Sequence, residues 1–178
     1  MATKTAPKST NTKHASAPAF RASEKLAGHL QQLLVDLTEL SLQGKQAHWN
    51  VVGRNFRDLH LQLDEIVDAA RDFTDEVAER MRAVHVTPDA RSARVAEQTT
   101  LVPFPDREVD SAVTVDLITA ALYATAGTAR RIHDDVDAED PTTADLLHEI
   151  ITRIEQLAWM VDSENRVANE SVPPQINA

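Results

Sequence analysis

The chain has 178 residues, 42% of them apolar, with no cysteine, 4 glycines, 8 prolines and 28 acidic against 18 basic residues, for a net charge of −10. Such a composition describes a globular protein of one domain and excludes collagen-like, disulfide-stapled and low-complexity architectures. With no thiolate, a metal would have to be held by His, Asp and Glu, which suits iron, manganese or zinc and excludes an iron–sulfur cluster.

Residues 1–22 are expected to form a disordered basic tail. Ala, Ser, Thr, Lys and Pro dominate its first 18 positions without apolar periodicity. Lys4, Lys8, Lys13 and Arg21 give this end +4 with no acidic residue before Glu24, which leaves −14 on the remainder. A cationic tail on an acidic body is open to three readings: it binds DNA, it addresses the protein to an organelle, or it only solubilises.

Long helices can lie only in the spans free of proline, 19–87, 106–140 and 142–172. In the first span Leu26, Leu30, Leu33, Leu34, Leu37 and Leu40 recur at the spacing of one helical face, predicting a helix that ends near Trp49. Asn50 to Gly53 then forms a turn with a left-handed residue at Gly53. A second helix, about eight turns long, follows on Phe56, Leu59, Leu63, Ile66, Val67, Ala70, Phe73, Val77, Met81 and Val84. Residues 85–110 hold three prolines and no sustained period, which predicts a long connection with a short helix around 90–96. A third helix is expected from about Asp110 to Asp135. Asp140 should cap a fourth, opened by Pro141 and buried through Leu146, Ile150, Ile154, Leu157 and Val161. No strand is expected. Two helical hairpins joined by a long crossover make an all-α, four-helix bundle of ferritin-like connectivity over 23–168, followed by a C-terminal tail at 169–178.

The second helix carries His60, Asp64, Asp75 and Glu79 within one arc of about 100° beside its apolar stripe. His48 precedes Gly53 by five residues and His60 follows it by seven, so a hairpin sets both imidazoles at similar height. Two histidines and three carboxylates are a plausible ferrous-iron ligand set. Asp64 and Asp75, however, are eleven residues apart, roughly 16 Å along a helix. One chain cannot close such a site, whereas an antiparallel partner across a two-fold axis completes two. The competing reading is a solvated face, because Asp58 to Arg80 is charge-rich throughout. No histidine has Glu three residues before it, so the Glu-x-x-His pairs of an intrachain di-iron bundle are missing.

The stretch Gln46-Ala-His48-Trp49-Asn50-Val-Val-Gly53-Arg-Asn55-Phe56, with His60, Asp64, Asp75-Glu-Val-Ala-Glu79-Arg80, Thr143-Ala-Asp145 and Trp159, resembles the Dps family of ferritin-like DNA-protection proteins over about residues 24–166. The resemblance implies that His48, His60 and Asp64 form one half of each ferroxidase site and that Asp75 and Glu79 of a two-fold mate form the other. It further implies a hollow homo-dodecamer that oxidises Fe(II), preferably with hydrogen peroxide, and stores the ferric mineral. Trp49 is read either as packing or as an electron donor beside the iron. Glu139, Asp140 and Asp145 flank the last turn, where the family's acidic pores lie, and are read either as admitting iron or as a solvated turn.

Asp145 and His148, three apart, are only a weak surface pair, and His14, His29, His85 and His133 have no partner visible in the sequence. The expected location is the cytoplasm, associated with the nucleoid if DNA is bound, since no run of 18 apolar residues and no secretory pattern is present. The main rival is an architectural DNA-compacting protein with secondary metal binding. An inert scaffold or adhesion module is the other.

Overall fold

A computed structural model describes residues 19–167. They form five helices and one minimal strand pair: α1 (Glu24–Asn50), β1 (Val51–Val52), α2 (Phe56–Ala83), α3 (Ser92–Gln98), β2 (Val109–Asp110), α4 (Ser111–Glu139) and α5 (Pro141–Asp162). The protein is therefore the expected all-α, ferritin-like bundle: α1 packs on α2 and α4, and α5 packs on α4 and α2. Ser23 opens α1, its hydroxyl accepting from the Leu26 amide. The leucine stripe of α1, with Leu63, Ile66 and Met81 of α2 and Ile118, Leu122 and Leu147 beyond, is fully buried. Removing each such side chain from water stabilises the fold by roughly 1.5–3 kcal/mol. Helix α4 is long and apolar enough over an 18-residue window to cross a membrane, but 56% of that window is buried inside the bundle.

Four departures from the expected elements have local causes. Phe56 is exposed rather than part of the α2 stripe, and its ring tilts over His60 with centroids 5.2 Å apart. The short helix of the crossover begins at Ser92. Helix α4 runs one turn past Asp135 to Glu139, because Val136 is still buried and continues the apolar face. The expectation of no strand fails over two residues, where Val51 and Val52 pair in parallel with Val109 and Asp110. Gly53 follows at φ 119, and a Cβ there would lie 3.0 Å from the Ser111 hydroxyl and 3.2 Å from the Asp110 carboxylate.

The crossover is ordered because α1 supplies it with polar partners along its length. Gln31 exchanges two bonds with the Asp89 backbone. Further along, the amides of Gln32, Gln43 and Gln46 donate to the carbonyls of Gln98, Val102 and Pro105. Between them lies Asp36, 0% exposed. It accepts from the Thr100 amide at 2.8 Å, the Thr100 hydroxyl at 2.9 Å and the Thr128 hydroxyl of α4 at 2.8 Å. A carboxylate this deep in a protein persists only when its lone pairs are satisfied, and here it joins α1, the crossover and α4. Asp36→Ala strands several of those donors and should lower the unfolding free energy by about 3 kcal/mol, read from urea denaturation.

Candidate metal centre

Gly44, on α1, lies against α2 so closely that a Cβ would meet Val67 Cγ2 at 2.7 Å. One turn later, His48 uses this close approach. Its Nδ1 donates to the His60 carbonyl at 3.0 Å, while His60 Nδ1 donates to the His48 carbonyl, also at 3.0 Å. The two rings stack with centroids 3.6 Å apart. Donation from Nδ1 fixes the tautomer so that each Nε2 presents a lone pair, the arrangement in which backbone carbonyls orient metal-binding imidazoles. Among the described residues nothing bonds to either Nε2. His48 is buried and His60 half-buried, and the tilted Phe56 ring lies beside the pair.

Asp64, one turn after His60, approaches His48 Nδ1 at 3.3 Å. Lys45, unnoticed in the sequence, donates to the same carboxylate at 2.5 Å. That hydrogen bond holds Asp64 below its usual 3.8, against the upward push of desolvation. His48, His60 and Asp64 thus converge, whereas Asp75 and Glu79 do not join them. Both stand exposed three to four turns further along α2. Among the described residues no group of three or more such side chains within this chain is arranged to hold a metal ion.

The remaining sites predicted from sequence are placed unevenly. Trp49 is 70% exposed, so it does not pack within its own chain. Arg21 is exposed, and Lys4, Lys8 and Lys13 lie outside the described residues, as does His14. Glu139 accepts from the amide and hydroxyl of Ser23 at 2.7 and 2.6 Å, fastening the start of α1 to the end of α4. Asp140 stands at the expected N-cap position but makes no side-chain cap. Its carboxylate turns inward to Arg80 at 2.5 Å and to the Thr143 hydroxyl, and Arg80 also reaches Thr143 at 2.8 Å. Asp145 alone of the three is exposed. Two histidines expected to lack partners have them: His29 meets Asp135 at 3.1 Å, and His133 meets His148 at 2.7 Å.

Within the stretch read as charge-rich, Glu65, Asp68, Asp72 and Glu76 of α2 form an acidic surface beside Arg153 of α5 that the sequence does not single out. Burial, together with Glu149, Asp72 and Asp75, raises the Glu76 carboxyl above its usual value. A period-based signal existed for it, because these four acids fall at steps of three and four.

Comparison with known proteins places the chain among ferritin-like sequences. The ferritin-like domain family matches residues 27–167. A Deinococcus radiodurans protein named DNA protection during starvation protein 2 is 38% identical over 74% of this chain, which spans just over half, 55%, of that relative. The fine tangled pili major subunit of Haemophilus ducreyi is 35% identical over 76% of this chain and 72% of its own length. Among solved structures, the Dps92 protein of Deinococcus radiodurans superposes with a TM-score of 0.76 at 33% identity, covering 79% of this chain and 85% of that one. A Dps of Microbacterium arborescens, described in its high iron form, gives 0.73 at 29% identity over 82% and 98%.

The Asp140 carboxylate generates a pH dependence. Desolvation pushes it up, but Thr143 and Arg80 outweigh that push and hold it below 3.8. A carboxylate depressed in the folded state contributes stability above its unfolded value and loses it as pH falls through the folded one. Between pH 5 and pH 2 the wild type should therefore lose more unfolding free energy than Asp140→Asn, which starts less stable at pH 7. Parallel urea curves for the two proteins across that range check this.

Proposed function

The chain belongs to the Dps family of ferritin-like proteins, and from that premise we propose that it oxidises Fe(II) at sites shared between subunits and stores the ferric product, protecting DNA from the peroxide and iron that would otherwise react beside it. The observation that carries this reading is the reciprocal bonding of His48 and His60 through Nδ1, which leaves both Nε2 lone pairs without a protein partner among the described residues, with the Asp64 carboxylate against the Nδ1 edge of His48.

On this reading His48, His60 and Asp64 of one chain face Asp75 and Glu79 of a two-fold mate. The three carboxylates favour Fe(III) over Fe(II), and the imidazoles complete a mixed N,O set suited to iron. Two Fe(II) each give one electron to one hydrogen peroxide. Its O–O bond breaks, and two protons complete two waters, so no hydroxyl radical is released. Lys45 occupies the Asp64 carboxylate when no metal does, keeping its charge compensated. The exposed Trp49, adjacent in sequence to His48, is proposed as an electron donor, and the half-site is proposed to lie on the two-fold contacts of a dodecamer. Iron would pass the α4–α5 turn, with Asp145 as its free carboxylate and with Glu139 and Asp140 holding the turn in shape. DNA contact is proposed through Lys4, Lys8, Lys13 and Arg21, and the protein is proposed to act in the cytoplasm near the nucleoid. The pilus-subunit relative favours a second reading, an open polymer, which electron microscopy of the purified particle separates from a closed shell.

Two experiments test the proposal. A variant lacking His48, His60 and Asp64 and another lacking Asp75 and Glu79 should each assemble without oxidising iron. In a mixed dimer one site keeps all five ligands, so co-refolding at equal amounts should restore about a quarter of peroxide-driven Fe(II) oxidation. Activity no higher than either parent, in shells containing both chains, refutes the shared site. Deleting residues 1–18 should abolish a DNA gel shift and leave Fe(II) oxidation unchanged, because the tails of one shell bind with avidity to phosphates that the acidic body repels.

A further inference from the structure

Outside the site described above, one cluster pairs metal-ligating side chains across two helices. His133 of α4 and His148 of α5 approach Nε2 to Nε2 at 2.7 Å, with ring centroids 4.7 Å apart. Their Nδ1 atoms face away from one another, each toward a carboxylate: His133 Nδ1 lies 3.0 Å from Asp134 Oδ1, and His148 Nδ1 lies 3.7 Å from Asp145 Oδ1. The pair lines an open depression of about 500 Å³ with Arg130, Asp134, Ile151 and Thr152. The positive charge of Arg130 is already met by Glu155, at 2.5 and 2.8 Å.

For two neutral imidazoles the hydrogen positions follow from these distances. His133 Nδ1–H donates to Asp134, which leaves its Nε2 as the acceptor. His148 must then donate from Nε2, so its own Nδ1 carries a lone pair, consistent with a gap to Asp145 too long for a hydrogen bond. If the His148 proton moves through solvent from Nε2 to Nδ1, it faces Asp145, and both Nε2 lone pairs become free. No net proton is lost. Both rings are then oriented by carboxylates, the outer-sphere arrangement that fixes metal-bound histidines. Two imidazoles on one ion bound at about 2.0–2.1 Å lie roughly 2.9–3.4 Å apart, so the pair must open by a few tenths of an ångström and its rings must turn from facing each other to facing one ion.

We propose that His133 and His148 form a second cation site, separate from the iron-oxidising centre, which takes a divalent transition ion of the zinc, nickel or copper type. Imidazole pairs prefer such ions over the hard cations magnesium and calcium. Water fills the remaining positions. Because the ligands come from different helices on either side of the α4–α5 turn, the bound ion staples that turn. From sequence, His148 has only a weak pairing with Asp145 along one helix, and His133 has no visible partner. The fold makes Asp145 the residue that orients and His133 the second ligand.

Zinc(II) is the probe. Equilibrium dialysis of the full-length protein, with metal measured by mass spectrometry, should show His133→Asn/His148→Asn binding one zinc fewer per chain than wild type, and each single variant binding that zinc at least tenfold more weakly. Unchanged stoichiometry and affinity in the double variant overturns the site. A second measurement needs no variant. Diethyl pyrocarbonate should modify the peptides carrying His133 and His148 in metal-free wild type, and one equivalent of zinc beyond saturation of the stronger sites should protect both together. Absence of that protection means the pair is only a hydrogen bond between imidazoles.

Discussion

The long connection between α2 and α4 holds its course because α1 gives it hydrogen-bond partners in order. Gln31, Gln32, Asp36, Gln43 and Gln46 meet the backbone at residues 89, 98, 100, 102 and 105, and Val51 then meets Val109. Both segments run in the same direction, so the contacts close like a zip and the final pair is parallel. Ordering a connection of this length costs conformational entropy at every residue. Here side-chain amides satisfy its carbonyls, and the buried carboxylate at Asp36 fixes the midpoint against α4. The zip ends at the turn holding Gly53, packed on Asp110 and Ser111. That turn sets where α2 begins, and so decides that His60 lies level with His48.

What the sequence made legible was whatever repeats. The leucine period of α1, the apolar stripe of α2 and the Asp140-Pro141 boundary all report burial or backbone restriction, which act locally and leave a regular trace. The residues that fasten the crossover left none. Gln31, Gln43 and Gln46 are indistinguishable in one dimension from glutamines facing water, and Asp36 is indistinguishable there from an exposed helical carboxylate. Lys45 was missed for the same reason: its partner lies 19 residues away across a hairpin. Asp140 was read as a cap because Asp before Pro is a local signal, whereas the guanidinium that captures its carboxylate comes from α2. Local chemistry sets the elements, and tertiary polar pairing decides which of their charges remain free.

That distinction separates the carboxylates of α2 into two groups. Asp64 is compensated within the chain by Lys45. Asp75 and Glu79, with the neighbouring Glu65, Asp68, Asp72 and Glu76, face water on adjacent arcs of a single helix with few cations among them. Like charges at helical spacing are destabilising by a few tenths of a kcal/mol per pair, and the Glu76 carboxyl is raised first by burial and then by Glu149, Asp72 and Asp75 around it. A helix carrying this burden has a built-in affinity for cations, because any multivalent ion arriving there relieves repulsion as well as forming bonds. The structural core does not need those acids, since the buried stripe of α2 lies on its other side.

The separation along α2 gives this charge pattern its consequence. Eleven residues, roughly 16 Å of helix, divide the end bearing His60 and Asp64 from the end bearing Asp75 and Glu79, and no rotamer bridges that span. The end bearing His48, His60 and Asp64 is therefore rich in nitrogen and carries a lysine-bound carboxylate, while the distant pair is carboxylate without nitrogen. On the proposed reading each end supplies what the other lacks. Trp49, at 70% exposure, and Leu61 beside His60 leave apolar surface next to the nitrogen-rich half, where a single chain has nothing to cover it. An antiparallel second copy would meet both deficits in one contact, burying the indole and bringing two uncompensated carboxylates to two waiting imidazoles. The same feature that makes the isolated helix electrostatically strained would then drive its pairing once a cation is present to be shared.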